Sequence, residues 1–222
     1  MRLRWRPGVV WGSVDVVGAR GAPAMQSTRH KELSSMARKD LPKYTVPSLT
    51  PEDGAKVAAI LQTRLDALND LALTLKHIHW NVVGPHFIAV HEMIDPQVEA
   101  VRAMVDAIAE RIATLGVAPV GTPGALVRNR TWDDYSIGRA LTTEHLGALD
   151  VVYVGVITDH RKAAEDVEEL DTVTNDLLVG HLHELELFHW FVRAHLESSG
   201  GSLSTQSTHT EKSAAKKASA AE

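Results

Sequence analysis

No cysteine occurs in the 222 residues. Disulfide frameworks, thiolate zinc sites, cysteine nucleophiles and cysteine-held iron–sulfur clusters are therefore excluded. No run approaches the roughly 20 apolar residues that a membrane-spanning helix needs. Period-two alternation of useful length is missing, and so is internal repetition, which argues against sheet-rich and solenoid architectures. Polar chemistry must then come from Asp, Glu and 12 His. The length suits one domain that can bury a core of its own.

Charge is unevenly placed along the chain. The net charge is −5, yet the first 43 residues are basic: Arg2, Arg4, Arg6, Arg20, Arg29, Lys31, Arg38, Lys39 and Lys43 face only Asp15, Glu32 and Asp40. The stretch 200–222 is weakly basic through Lys212, Lys216 and Lys217. Everything between is strongly acidic. A basic arm on an acidic body suits a polyanion outside and cations within. Residues 1–43 read as a disordered arm, with 1–24 expected to lie upstream of the true start at Met25 or Met36. Residues 44–199 read as the folded domain and 200–222 as a flexible Lys/Ala/Ser tail.

The middle of the chain reads as four helices and no strands. Thr50-Pro51-Glu52-Asp53 has the form of an N-cap, a proline at the first helical position and an acidic first turn. Apolar residues then recur at three- and four-residue spacing from Val57 to Ile78, until Gly84-Pro85 stops the pattern. A second run extends from about Phe87 to Leu115 and ends at Gly116. A Gly/Pro-rich connection follows, with room for a short helix around Trp132–Ser136. The third and fourth runs span about 137–167 and 172–199. Four long helices with one long connection between the second and third describe a four-helix bundle of the ferritin-like type.

The second run carries His91, Asp95, Asp106 and Glu110. At about 100° per residue these four fall within an arc about 100° wide, but His91 and Glu110 stand about 28 Å apart along the axis. One helix cannot bring them to one ion. Two antiparallel copies can, because the pairs 91/110 and 95/106 share a midpoint between Ala100 and Val101. A two-fold axis there would make two identical sites. His79, at the end of the first helix, could complete a set of two histidines and three carboxylates suited to iron or manganese. Taken singly, each residue has a plainer reading: His79 as a core histidine, Asp106 and Glu110 as a solvated face, and Asp95-Pro96 as the start of a shorter helix.

The run from His79-Trp80-Asn81 through His91 and Asp95, followed by Asp106-Ala107-Ile108-Ala109-Glu110-Arg111, strongly resembles the Dps family, the miniferritins known as DNA-binding proteins from starved cells. The likeness covers about 45–199 and is nearest to the actinobacterial branch. It implies one continuous second helix through Pro96, and a hollow homododecamer built from two-fold dimers with di-iron ferroxidase sites between subunits. His79 of one chain with Asp106 and Glu110 of its partner would hold the tighter iron, and His91 and Asp95 would support the second. Trp80 matches the family tryptophan beside the site. Asp176, with Asp171 near it, matches carboxylates of the pore through which iron passes.

The implied activity is oxidation of Fe(II), preferentially by hydrogen peroxide, with Fe(III) mineralised in the cavity and DNA protected. The implied setting is cytoplasmic and nucleoid-associated. DNA would be held non-specifically through phosphate charge by the basic tails, with Lys212, Lys216, Lys217, Arg38, Lys39 and Lys43 as candidates. The competing reading is a structural DNA-compacting protein with little ferroxidase activity. A di-iron site inside one bundle would need two Glu-x-x-His motifs; a single one occurs, Glu186-Leu187-Phe188-His189, whose ends read as surface or pore-rim residues.

Overall fold

The computed structural model describes residues 41–221. The expected N-terminal arm, with Arg38 and Lys39, lies outside the described residues apart from its last three. Helix α1 spans Pro51–Asn81. Thr50 caps it, its hydroxyl accepting the Asp53 N–H at 3.1 Å, which satisfies one of the free amides of the first turn. The stripe Val57, Leu61, Leu65, Leu68, Leu71, Leu75 and Ile78 is buried along its whole length. After the short strand β1 (Val82–Val83), Gly84 turns the chain with φ +107 into α2, Phe87–Thr114.

Pro96 lies inside α2, so the helix does not restart at Asp95. Proline removes one ladder bond, while Ile94, Val98, Val101, Met104, Ile108 and Ile112 continue the buried face across it. Gly116 ends the run at φ +84, where a Cβ would stand 2.1 Å from the Tyr44 carbonyl. Both the left-handed conformation and the close approach demand glycine there.

The long connection differs from expectation. Its short helix, α3, is Pro123–Asn129 rather than 132–136. Proline at the helix start favours the earlier position, whereas Trp132 is drawn inward by an N–H bond to Asp70 at 2.6 Å. A two-residue strand β2, Ala140–Leu141, pairs in parallel with β1, where no strands were expected. These strands are too short to show any alternation. Helix α4, Thr142–Glu168, starts five residues later than read from the pattern; the Glu144 carboxylate reaches back to the Leu141 N–H at 3.0 Å and fixes that start. Helix α5 spans Thr172–Leu196. The helices pack as two pairs, α1 on α2 and α4 on α5, joined across α1 and α4.

The C-terminal stretch is not a flexible tail. A turn at Gly201 brings Leu203 back beside Glu197, and Thr205, buried, donates to Asp150 Oδ2 at 2.7 Å. Helix α6, Glu211–Ser219, then lies on α4 with Ala214, Ala215 and Ala218 buried. Glycine at 147 permits this, since a Cβ there would meet the Ala214 carbonyl oxygen at 2.7 Å and the Ala218 methyl at 2.8 Å. Among the described residues, no helix is long and apolar enough to cross a membrane.

Candidate metal centre

The last turn of α1 and the first turns of α2 run side by side, and their main chains fix two imidazoles. His79 Nδ1 donates to the His91 carbonyl at 3.0 Å, and His91 Nδ1 donates to the His79 carbonyl at 2.9 Å. A carbonyl oxygen only accepts, so both rings carry their proton on Nδ1. Each Nε2 is left with its lone pair, the arrangement by which a second shell prepares a histidine to bind metal. The rings stack at 3.6 Å between centroids, and Phe87 closes on His91 at 5.4 Å.

Asp95, one turn after His91, joins the pair, with Oδ1 3.3 Å from His79 Nδ1. The same oxygen accepts from Lys76 Nζ at 2.7 Å. This bond from the ammonium, with the charge beside it, holds the Asp95 carboxyl below the usual carboxylate range. Lys76 also stands 5.9 Å from the ring centre of Trp80, which is 72% exposed. The sequence reading missed Lys76; its i, i+4 relation to Trp80 was the available signal. His79, His91, Asp95, Lys76 and Trp80 thus form one cluster.

Asp106 and Glu110 do not join it. They lie exposed on the C-terminal half of α2, separated from His91 by the rise of four to five helical turns. Among the described residues, no group of three His, Asp or Glu could hold a metal ion within one chain. One chain therefore presents its candidate ligands as two separate partial sets, His79, His91 and Asp95 where α1 meets α2, and Asp106 and Glu110 on the far half of α2. Exposed Trp80, Phe87 and Ile88 flank the first set.

Other singled-out residues fall in different surroundings. Asp171 is paired within the chain: Arg111 donates to it at 2.5 Å, Thr174 bonds it as well, and the residue is half-buried. Burial pulls this carboxyl upward, but the Arg111 and Thr174 bonds outweigh it and leave the group below the usual range. The pair ties the end of α2 to the start of α5. Asp176 is exposed on α5. His189 is buried rather than on the surface, with Nε2 2.6 Å from Asp150 Oδ1. Glu186 pairs instead with Arg161, so the two ends of that motif do not converge. Lys43, Lys212, Lys216 and Lys217 are exposed, the last three on the outer side of α6, and Lys217 also donates to the Gln206 carbonyl.

Comparison with known proteins bears on this arrangement. Residues 58–199 match the model of the ferritin-like domain. The DNA protection during starvation protein of Mycolicibacterium smegmatis is 60% identical over 175 residues, covering 79% of this chain and 96% of that protein. Among solved structures, Mycobacterium smegmatis Dps superposes with a TM-score of 0.75 at 60% identity, covering 76% of this chain and 97% of that one. DpsA14 from Streptomyces coelicolor gives 0.73 at 64% identity, over 74% and 98%.

Proposed function

Because this chain belongs to the Dps family of ferritin-like proteins, in its actinobacterial branch, we propose that it is a ferroxidase and iron store whose sites form between subunits. The observation that carries the reading is the reciprocal anchoring of His79 and His91 through Nδ1, which leaves Nε2 of each ring as the nitrogen able to bind metal. A metal bound there still needs hard oxygen donors. Asp106 and Glu110 supply them when a second copy of α2 lies antiparallel across a two-fold axis between Ala100 and Val101. His79 with the partner copy's carboxylates then holds the tighter Fe(II), and His91 and Asp95 support the second.

Two Fe(II) held together deliver two electrons to one peroxide, so hydroxyl radical is not released. Fe(III) passes to the inside of a homododecamer. In this reading the protein works in the cytoplasm near the nucleoid, where it protects DNA. The exposed lysines of α6 favour a direct, non-specific contact with duplex phosphates as well. Twelve copies of so weak a patch gain strength by multivalency.

The test is anaerobic loading with Fe(II), followed by hydrogen peroxide, for the wild type and Asp106→Asn. Rapid ferric absorbance near two Fe(II) per peroxide, lost in the variant, is expected. Equal slow rates in both would sink the ferroxidase reading and leave a shell that acts on DNA alone.

A further inference from the structure

Three tyrosines occur in the chain, and their hydroxyls meet different chemistry. Tyr44 is 68% exposed. Tyr153 is fully buried and donates to Gln97 Oε1 at 2.6 Å, an amide oxygen that cannot keep a proton. Tyr135, half-buried in the long connection, has its hydroxyl 3.0 Å from Nδ1 of His145. That imidazole has no exposed surface at all. Among the described tyrosines, Tyr135 therefore has a base in hydrogen-bond contact, and that base is sealed from water.

The protonation states suit a donor and an acceptor. Burial, with Glu211 nearby, pushes the Tyr135 hydroxyl well above its ordinary range, so it stays a phenol. Burial also lowers the His145 imidazole, with His77 adding to the effect, so it stays neutral. In the Nε2–H tautomer of that neutral ring, the hydroxyl donates and Nδ1 accepts. The Asn81 and Gly138 main chain and the Glu144 carboxylate favour the charged ring once a proton arrives.

The pair also lies directly behind the iron ligands. The Tyr135 ring meets His77 at 5.7 Å between centroids, and His77 precedes His79 by two residues on α1. Asn81, whose main chain adjoins His145, follows His79 by two. The same turn of helix thus carries an iron ligand on one side and a tyrosine–histidine pair on the other.

We propose that Tyr135 and His145 form a one-electron sink for oxidants that escape the iron site, an inference that rests on the ferroxidase reading above. The oxidant is of the hydroxyl-radical class, formed when one Fe(II) splits peroxide into hydroxide and hydroxyl radical. Tyr135 gives that radical one electron, yielding a second hydroxide. Its phenolic proton passes to His145 Nδ1, leaving a neutral tyrosyl radical and an imidazolium. An oxidised phenol is a far stronger acid than any imidazolium, so the transfer runs downhill even to a buried base. The proton cannot reach water and stays in place. A second Fe(II) then returns one electron, the proton moves back, and phenol and imidazole are restored. The sum is two Fe(II) oxidised and two hydroxides formed per peroxide, with no radical set free. Tyr153 cannot do this because Gln97 offers no base.

The experiment is freeze-quench EPR of the Fe(II)-loaded full chain mixed with hydrogen peroxide, with ferric absorbance read on the same samples. Wild type, Tyr135→Phe and Tyr153→Phe are compared. A tyrosyl signal present in wild type and Tyr153→Phe, lost in Tyr135→Phe at unchanged rate of iron oxidation, upholds the proposal. A signal that survives Tyr135→Phe, or none in a wild type that oxidises iron, overturns it. Should the wild type oxidise no iron, the ferroxidase reading fails by itself. Metal-free protein in a Tyr44→Phe background, oxidised by photogenerated ruthenium(III) tris-bipyridine, then decides the pair. Oxidation at Tyr135 that slows in D2O and ignores buffer concentration upholds it; oxidation residing in Tyr153 overturns it.

Discussion

His79 and His91 hold each other by the main chain: each ring donates its Nδ1 proton to the other residue's carbonyl, at 3.0 and 2.9 Å. Two helices are thereby cross-tied at the point where metal chemistry is proposed, and neither ring can turn to offer Nδ1 without giving up its own bond to the other residue's carbonyl. Asp95 is the third member, and its Oδ1 accepts from the Lys76 ammonium at 2.7 Å.

Lys76 is consequently a competitor for the second iron of the proposed site. Lys76→Met removes the positive charge from Asp95 Oδ1 and is expected to tighten the weaker of two metal-binding steps by about tenfold. Calorimetric titration of anaerobic protein with Fe(II) measures this. A weaker step unchanged or loosened by the substitution would show that Lys76 positions Asp95 instead of blocking it.

The docking of α6 depends on the absence of a side chain at 147. Glycine inside a helix costs about 1 kcal/mol relative to alanine, so its presence in α4 is explained by the approach of Ala214 and Ala218. Gly147→Val is expected to detach α6 while leaving the four-helix body folded. Proteolysis confined to the residues beyond 205, with the melting temperature of the body retained, is the readout. Resistance equal to that of the wild type would refute the close-packing argument.

Two buried histidines set the acid limit of the fold. His160 and His181 stand 5.7 Å apart between ring centroids, with Arg64 beside the first. Burial lowers His160 to about 3, aided by the charges of His181 and Arg64, and lowers His181 to about 4. Both nitrogens of His160 and Nδ1 of His181 have no hydrogen-bond partner among the described residues. The unfolded chain takes up these protons below about pH 6.5 and the folded chain does not, so stability falls as pH drops from there toward 4. Each histidine contributes up to about 1.4 kcal/mol per pH unit. His160→Leu should move the acid-unfolding midpoint, followed by circular dichroism, to lower pH; a midpoint moved upward or left in place would contradict the assignment.

The Tyr153–Gln97 bond gives a further stability test. Tyr153→Phe leaves a buried amide oxygen without its donor and should cost about 1–3 kcal/mol. Tyr153→Phe combined with Gln97→Met removes both polar partners and should recover most of the loss. Thermal unfolding of the two variants decides it, and equal losses in single and double variants would speak against the bond's contribution.

Much of this protein was readable along the chain. The Thr50-Pro51 start, the buried stripe of α1, the Gly116 stop and the continuous apolar face of α2 all arise from capping and periodicity, which act within a few residues. The common midpoint of His91, Asp95, Asp106 and Glu110 is likewise a property of spacing alone. The sequence by itself thus determined the long helices of the body and pointed to a site needing two copies. Only tertiary structure decided which side chains compensate one another. Lys76 on Asp95, Arg111 on Asp171, Asp150 on His189, and α6 in the groove over Gly147 join residues far apart in the chain. A Lys/Ala/Ser stretch has too little apolar surface to order itself; it becomes a helix here because glycine on another helix lets three alanine faces come close. Spacing records what a segment can do alone, and burial and pairing are settled when the segments meet.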